Sequence, residues 1–141
     1  MQTGQPSRTA LGAAIYRAAH QTLEGGRIFS DPLARTVLGP EADALISAFS
    51  ADPAQLQMRV FMAARSRFAE DCLARAVSRG VRQVVILGAG LDTFALRNPH
   101  AALGLRVFEV DHPSTQAWKR TRLQEVNLAI PAMLTLSLIH I

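Results

Sequence analysis

Gly88 and Gly90 stand directly behind the apolar run Val84-Val85-Ile86-Leu87, and two acids, Glu109 and Asp111, follow about twenty residues later. These residue types at this spacing suit the reception of a ribose-bearing cofactor. Glycines let the backbone turn sharply and approach a ligand where a Cβ would block contact, and a carboxylate at the end of the next strand accepts hydrogen bonds from both ribose hydroxyls. Glu109 and Asp111 lie two apart on a strand and point to the same side; Asp111, nearer the carboxyl end, has the better geometry and Glu109 comes second. A dinucleotide-binding turn would place a third glycine where Thr93 stands, to bring the next helix close to a pyrophosphate. The departure favours a cofactor with a ribose but no pyrophosphate, of which S-adenosylmethionine is the common one. A nicotinamide or flavin dinucleotide is the alternative.

Other residues carry two readings each. Asp92 can reach the ammonium group of a bound amino acid or cap the next helix, and the two roles can coexist. Thr93 reads as a turn or cap hydroxyl. Asp111 can instead cap the helix that follows it. Arg65 and Arg67 interrupt an apolar helix, on different faces. An arginine there can clamp a carboxylate in a bidentate pair, or lie solvated with its stem along the helix, and periodicity favours the second. Histidines 20, 100, 112 and 140 are widely spread and Cys72 has no Cys-x-x-Cys partner, so no metal-ligand spacing exists. Neither a Gly-x-Ser-x-Gly elbow nor a phosphate-binding Gly-x-x-x-x-Gly-Lys loop is present. Trp118 and Phe108 read as core or cover residues, and the single tyrosine, Tyr16, leaves little aromatic surface for single-stranded nucleic acid.

The elements that must position these groups follow from punctuation and period. Thr9 to Leu23 has a helical rhythm stopped by Gly25-Gly26. Asp31-Pro32 gives an N-cap and first-turn proline for a short helix through Leu33, Ala34, Val37 and Leu38, closed by Gly39-Pro40. A small helix over Glu41 to Phe49 precedes a long one from Asp52-Pro53 to Gly80, with a buried stripe of Leu56, Val60, Ala64, Phe68, Leu73, Ala76 and Val77. The strand through Val84 fits a parallel strand buried on both faces. Leu91 to Leu103 is a crossover interrupted by Asn98-Pro99 and so containing only a short helix, Arg106 to Asp111 is the second strand, and His112-Pro113 opens a helix to about Asn127. Met133 to Ile141 reads as a strand cut off or replaced in its middle. The expected architecture is therefore α/β, Rossmann-like, with residues 1–80 as a helical cover and residues 81–141 as the first part of a cofactor-binding sheet, together part of one domain.

The chain has 141 residues, 49% hydrophobic and 18% charged, which is a globular composition. A complete doubly wound sheet usually needs on the order of 180 residues, so the expectation is a fragment of a longer product. The net charge of +4 comes from scattered arginines rather than a dense basic run, which argues against a nucleic-acid partner. One cysteine suits a reducing compartment, the first residues lack the apolar core of a signal peptide, and no stretch approaches the roughly 20 apolar residues of a membrane span. The expected location is cytoplasmic, without a membrane partner. An unpaired hydrophobic strand edge and uncovered sheet faces predict that the 141 residues alone aggregate or stay partly unfolded.

Five blocks in order carry a resemblance: Thr9-Ala10-Leu11; Arg27 to Ala34; Ala64 to Asp71; Gln83 to Thr93 with Arg97; and Phe108 to Pro113 through Lys119. Together they resemble the leucine carboxyl methyltransferase-type family, and more closely its bacterial branch of class I S-adenosylmethionine-dependent O-methyltransferases, some associated with polyketide biosynthesis. The likeness extends to about Leu128. It implies the cofactor's methionine carboxylate near Arg65, backbone contacts at Gly88 and Gly90, and the ribose on Asp111; Arg67 stays unassigned. The family's adenine-contacting Asp-Leu-type pair, later strands and most of its substrate pocket have no counterpart here, and Ser137 to Ile141 departs from the family's continuation.

The resemblance implies methyl transfer from a sulfonium to an acceptor oxygen of a small molecule, an in-line displacement helped by holding the partners about 3 Å apart. A hydroxyl acceptor would be helped by a general base and a free carboxylate would need none, so no catalytic residue is assigned. The cofactor-binding candidates are Arg65, Gly88, Gly90, Asp92, Glu109 and Asp111. The rival readings are an NAD-type oxidoreductase and a non-catalytic protein- or nucleic-acid-binding module on the same fold. The sequence leaves the oligomeric state open.

Overall fold

The computed structural model describes residues 7–50, 52 and 54–138. Pro53 as the start of the long helix, the terminal stretch 139–141 with His140, and residues 1–6 lie outside them. Four helices come first: α1 (Arg8–Leu23), α2 (Ala34–Leu38), α3 (Ala42–Ser50) and α4 (Ala54–Ser78). The alternating part follows as β1 (Gln83–Leu87), α5 (Phe94–Arg97), β2 (Arg106–Asp111), α6 (Pro113–Glu125) and β3 (Leu134–Leu138).

Helix α1 begins where the Ser7 hydroxyl accepts the Ala10 N–H at 3.0 Å, a side-chain cap for an otherwise orphan donor. Its small residues Ala14, Ala18 and Ala19, with Ile15, bury one face against α2 and α3, and Leu91 and Leu123 join the same core. The short α2 has Leu33 at its N-cap position, not Asp31. Asp31 was expected to cap; its carboxylate is instead fully buried against Arg17, which a cap exposed at a helix end could not reach.

Helix α4 corrects a second expectation. Its inward face is Arg59, Met62, Ala63 and Val77, with Ser66, Glu70 and Leu73 partly buried on the same side. Leu56, Val60, Ala64 and Phe68 are exposed, Phe68 by 69%. Unbroken steps of four advance about 40° each around a 3.6-residue helix, so that series winds away from the core, whereas mixed steps of three and four stay on it.

The three strands are parallel in the order β1-β2-β3, with Val84 opposite Val107 and Val107 opposite Leu134. Two crossovers running the same way along a sheet put their helices on one face. That face buries Val107 and Leu134 against Val77, Phe94, Ala95 and Leu105. The opposite face has no helix over it among the described residues, and Val85 and Leu87 are 58% and 76% exposed. Within the described residues the expectation of a β1 buried on both faces is therefore corrected: β1 lies at the edge of the three-stranded sheet, and one side of it faces outward.

Candidate functional site

The backbone leaves β1 through Gly88 and Gly90, both left-handed at φ +64° and +55°. The Gly88 N–H donates to the Val110 carbonyl at 2.8 Å, which carries the β1–β2 ladder one residue past the strand. The Asp92 N–H then closes a turn onto the Ala89 carbonyl at 2.9 Å. The two glycines serve different ends. A Cβ on Gly88 would meet nothing within 4 Å, so that position opens to ligand space. A Cβ on Gly90 would come to 2.8 Å from the Ala10 Cβ, so this glycine admits helix α1 against the loop.

Beside the loop lies a cleft of about 840 Å³, within the range of small-molecule and cofactor sites. It gathers Arg65, Gly88, Gly90, Asp92 and Asp111, with Tyr16 and Met62 from the helices above. Asp111 ends β2 with one carboxylate oxygen accepting the Gly90 N–H at 2.5 Å and the other the His112 N–H at 2.6 Å. Each carboxylate oxygen has a further lone pair for a ribose hydroxyl. The cap of α6 is His112, whose ring nitrogen accepts the Ser114 N–H at 3.2 Å, so Asp111 does not take that role. Arg65 is exposed on the cleft wall and makes no ion pair among the described residues, while Arg67 pairs with Asp71 at 2.9 Å away from the cleft. Asp92 accepts the Phe94 N–H at 2.7 Å, which pins the start of α5.

Glu109 is not part of this cleft. It is 1% exposed beneath the loop and paired with the equally buried Lys119, so it is placed to hold structure rather than a ligand. Burial pushes its carboxyl above the ordinary value, with Lys119 opposing.

Sequence reasoning missed the loop's supports. Arg17 donates to the Leu91 carbonyl at 2.7 Å and to Asp31 at 3.1 Å. The Lys119 ammonium donates to the Asp92 carbonyl at 2.7 Å. Thr93 fills the place of a third glycine: its hydroxyl donates to Asp31 at 2.7 Å and accepts from Arg97 at 3.0 Å. Arg97 reaches on to Glu70 at 2.6 Å and lies over the Phe29 ring at 5.0 Å; burial opposes its charge, but Glu70 and Asp31 outweigh that and raise its pKa. A signal was available for Arg17, which sits among Ala14, Ala18 and Ala19 on the apolar side of α1. In the cover, burial works against the charge of Glu24, yet Arg59 at 2.8 Å and His20 at 3.2 Å outweigh it and lower its pKa.

The cleft has features that S-adenosylmethionine would need: open space at Gly88, a carboxylate at a strand end, and an arginine that makes no ion pair among the described residues. Among the described residues no three His, Cys, Asp or Glu side chains gather as a metal site, and no helix is long and apolar enough to cross a membrane. A parallel sheet led into by helices, with a glycine loop and a strand-end acid on one cleft, defines a Rossmann-like α/β protein of the class I methyltransferase type. Residues 10–140 match the leucine carboxyl methyltransferase family, and the chain belongs to it.

Among curated relatives, a Bacillus subtilis protein named as an S-adenosyl-L-methionine-dependent methyltransferase is 34% identical, over 95% of this chain and 52% of its own length. One of the same description from Mycolicibacterium paratuberculosis is 40% identical over 83% of this chain and 40% of its own. Another from Parafrankia is 41% identical over 79% and 37%. The chain thus spans about half the length, or less, of the curated relatives it matches.

Proposed function

We propose that this chain supplies the cofactor-binding part of an S-adenosylmethionine-dependent methyltransferase that methylates an oxygen of a small molecule or carboxylate acceptor, of the bacterial, polyketide-associated type, in the cytoplasm. The observation that carries the reading is the meeting on one cleft of Gly88, Asp111 and Arg65, an arginine with no ion pair among the described residues. In this reading Arg65 holds the methionine carboxylate, Asp111 the ribose, Gly88 offers close backbone approach, and Asp92 lies within reach of the ammonium group. The bound cofactor supplies an electrophilic methyl group. The chain's own part is orientation, with residues 1–80 as cover and 81–141 as the cofactor half of the sheet, and no catalytic residue is assigned.

The dinucleotide alternative has less support. Thr93 is buried and bonded to Asp31 where a pyrophosphate turn would want glycine, and the named relatives are methyltransferases. Calorimetric titration of the whole protein, rather than of these 141 residues alone, separates the two. Saturable binding of S-adenosylmethionine with none of NAD is expected; NAD binding without S-adenosylmethionine would overturn the proposal.

A further inference from the structure

Two consecutive carbonyls of the glycine loop are each gripped by a buried cation, from different elements. Arg17 of α1 holds the Leu91 carbonyl and Lys119 of α6 holds that of Asp92, both at 2.7 Å. Each cation is neutralised by a buried acid, Asp31 for Arg17 and Glu109 for Lys119, and none of these four side chains is more than 7% exposed. Asp31 also pairs with Arg97 at 3.3 Å, so loss of Arg17 does not leave it without a cation. Burying four charges contributes little net stability compared with apolar packing, so stability alone is a poor reason for the arrangement. What it does supply is geometry. A charge-assisted bond to each carbonyl fixes two adjacent peptide planes, and Thr93, tied to Asp31, fixes the next residue.

We propose that Arg17 and Lys119, with Asp31, Glu109 and Thr93, are positioning residues: a two-sided clamp that holds the loop from Gly88 to Thr93 in its cofactor-receiving shape. Through Arg17 and Asp31 the helical cover sets the loop, so cover and loop receive the cofactor as one unit. The inference rests on the cofactor reading above only for the identity of the ligand.

The test measures hydrogen exchange at the amides of residues 88–93 without cofactor, together with calorimetric affinity for S-adenosylmethionine, in the whole protein. Arg17→Met removes one grip. The pair Glu109→Gln with Lys119→Met removes the other without stranding a charge, and Thr93→Val is a mild third variant that keeps the fold. Glu24→Gln, which weakens a half-buried pair of the cover outside the cleft lining, is the control. Loop exchange is expected to rise and Kd to increase about tenfold or more in Arg17→Met, the loss typical of one charge-assisted hydrogen bond. Arg17→Lys should recover part of both, while Glu24→Gln lowers the melting temperature and moves neither. Loop exchange and Kd unchanged in the clamp variants, or changed as much by Glu24→Gln, would overturn the proposal. If the unmodified protein binds no S-adenosylmethionine, the cofactor reading falls and loop exchange alone decides the clamp.

Discussion

The two faces of the sheet are built on opposite terms. Beneath α5 and α6 the strands bury apolar side chains together with a paired Glu109 and Lys119, and the loop at their end is held by named bonds. On the other face Val85 and Leu87 stand exposed with no helix above them among the described residues. Parallel sheets are stable when both faces are covered. The end of this sheet that carries the glycine loop is therefore shaped by the helices on one side and by the cover.

The most severe way to break the covered face is to strand a charge in it. Lys119→Met alone leaves Glu109 buried and unpaired and is expected to cost about 3–5 kcal/mol in urea unfolding, while the double change with Glu109→Gln costs far less. Next comes the loop. Gly90→Ala must take φ +55° and push its Cβ against Ala10, so about 1–3 kcal/mol should be lost. Gly88→Ala carries the backbone strain without the clash and should cost less, while weakening ligand binding; the two melting temperatures give the order.

Acid sharpens the contrast by sign. The Glu24 carboxyl lies below its ordinary 4.5, so its contribution is full above that pH and is lost as pH falls through the folded value. Glu109 lies above 4.5, so its contribution weakens as pH rises from 4.5 toward its folded value. Glu24→Gln should flatten the acid limb of a stability profile, and Glu109→Gln should leave that limb in place. The smallest effect belongs to the bare face. Val85→Thr with Leu87→Lys should change stability by only about 0.5 kcal/mol per site, yet reduce binding of a hydrophobic dye and self-association.

Much of this was legible in the sequence because it depends on local punctuation. The bounds of β2, the glycine loop and the helix opened by His112-Pro113 follow from turn chemistry and apolar runs. The face of α4 was not legible, because apolar residues lie all round that helix and only tertiary contact chooses among them. The clamp was hidden for another reason: a buried arginine or lysine has the same letter as a solvated one. Lys119 betrays itself only by lying four residues after buried Thr115 and four before buried Leu123 on α6. Asp31 was misread because Asp-Pro is a common helix start, and the partners that draw it inward lie 14 and 62 residues away along the chain.

In the proposed reading Asp111 and Arg65 hold the cofactor in the cleft, and calorimetric titration of S-adenosylmethionine into the whole protein, its Asp111→Asn variant and its Arg65→Ala variant measures this. The predicted result is saturable binding that weakens about tenfold or more in each variant, with little change in melting temperature for Arg65→Ala and a lower one for Asp111→Asn, whose amide cannot accept both the Gly90 and the His112 N–H. Binding that is equally tight in all three would contradict it.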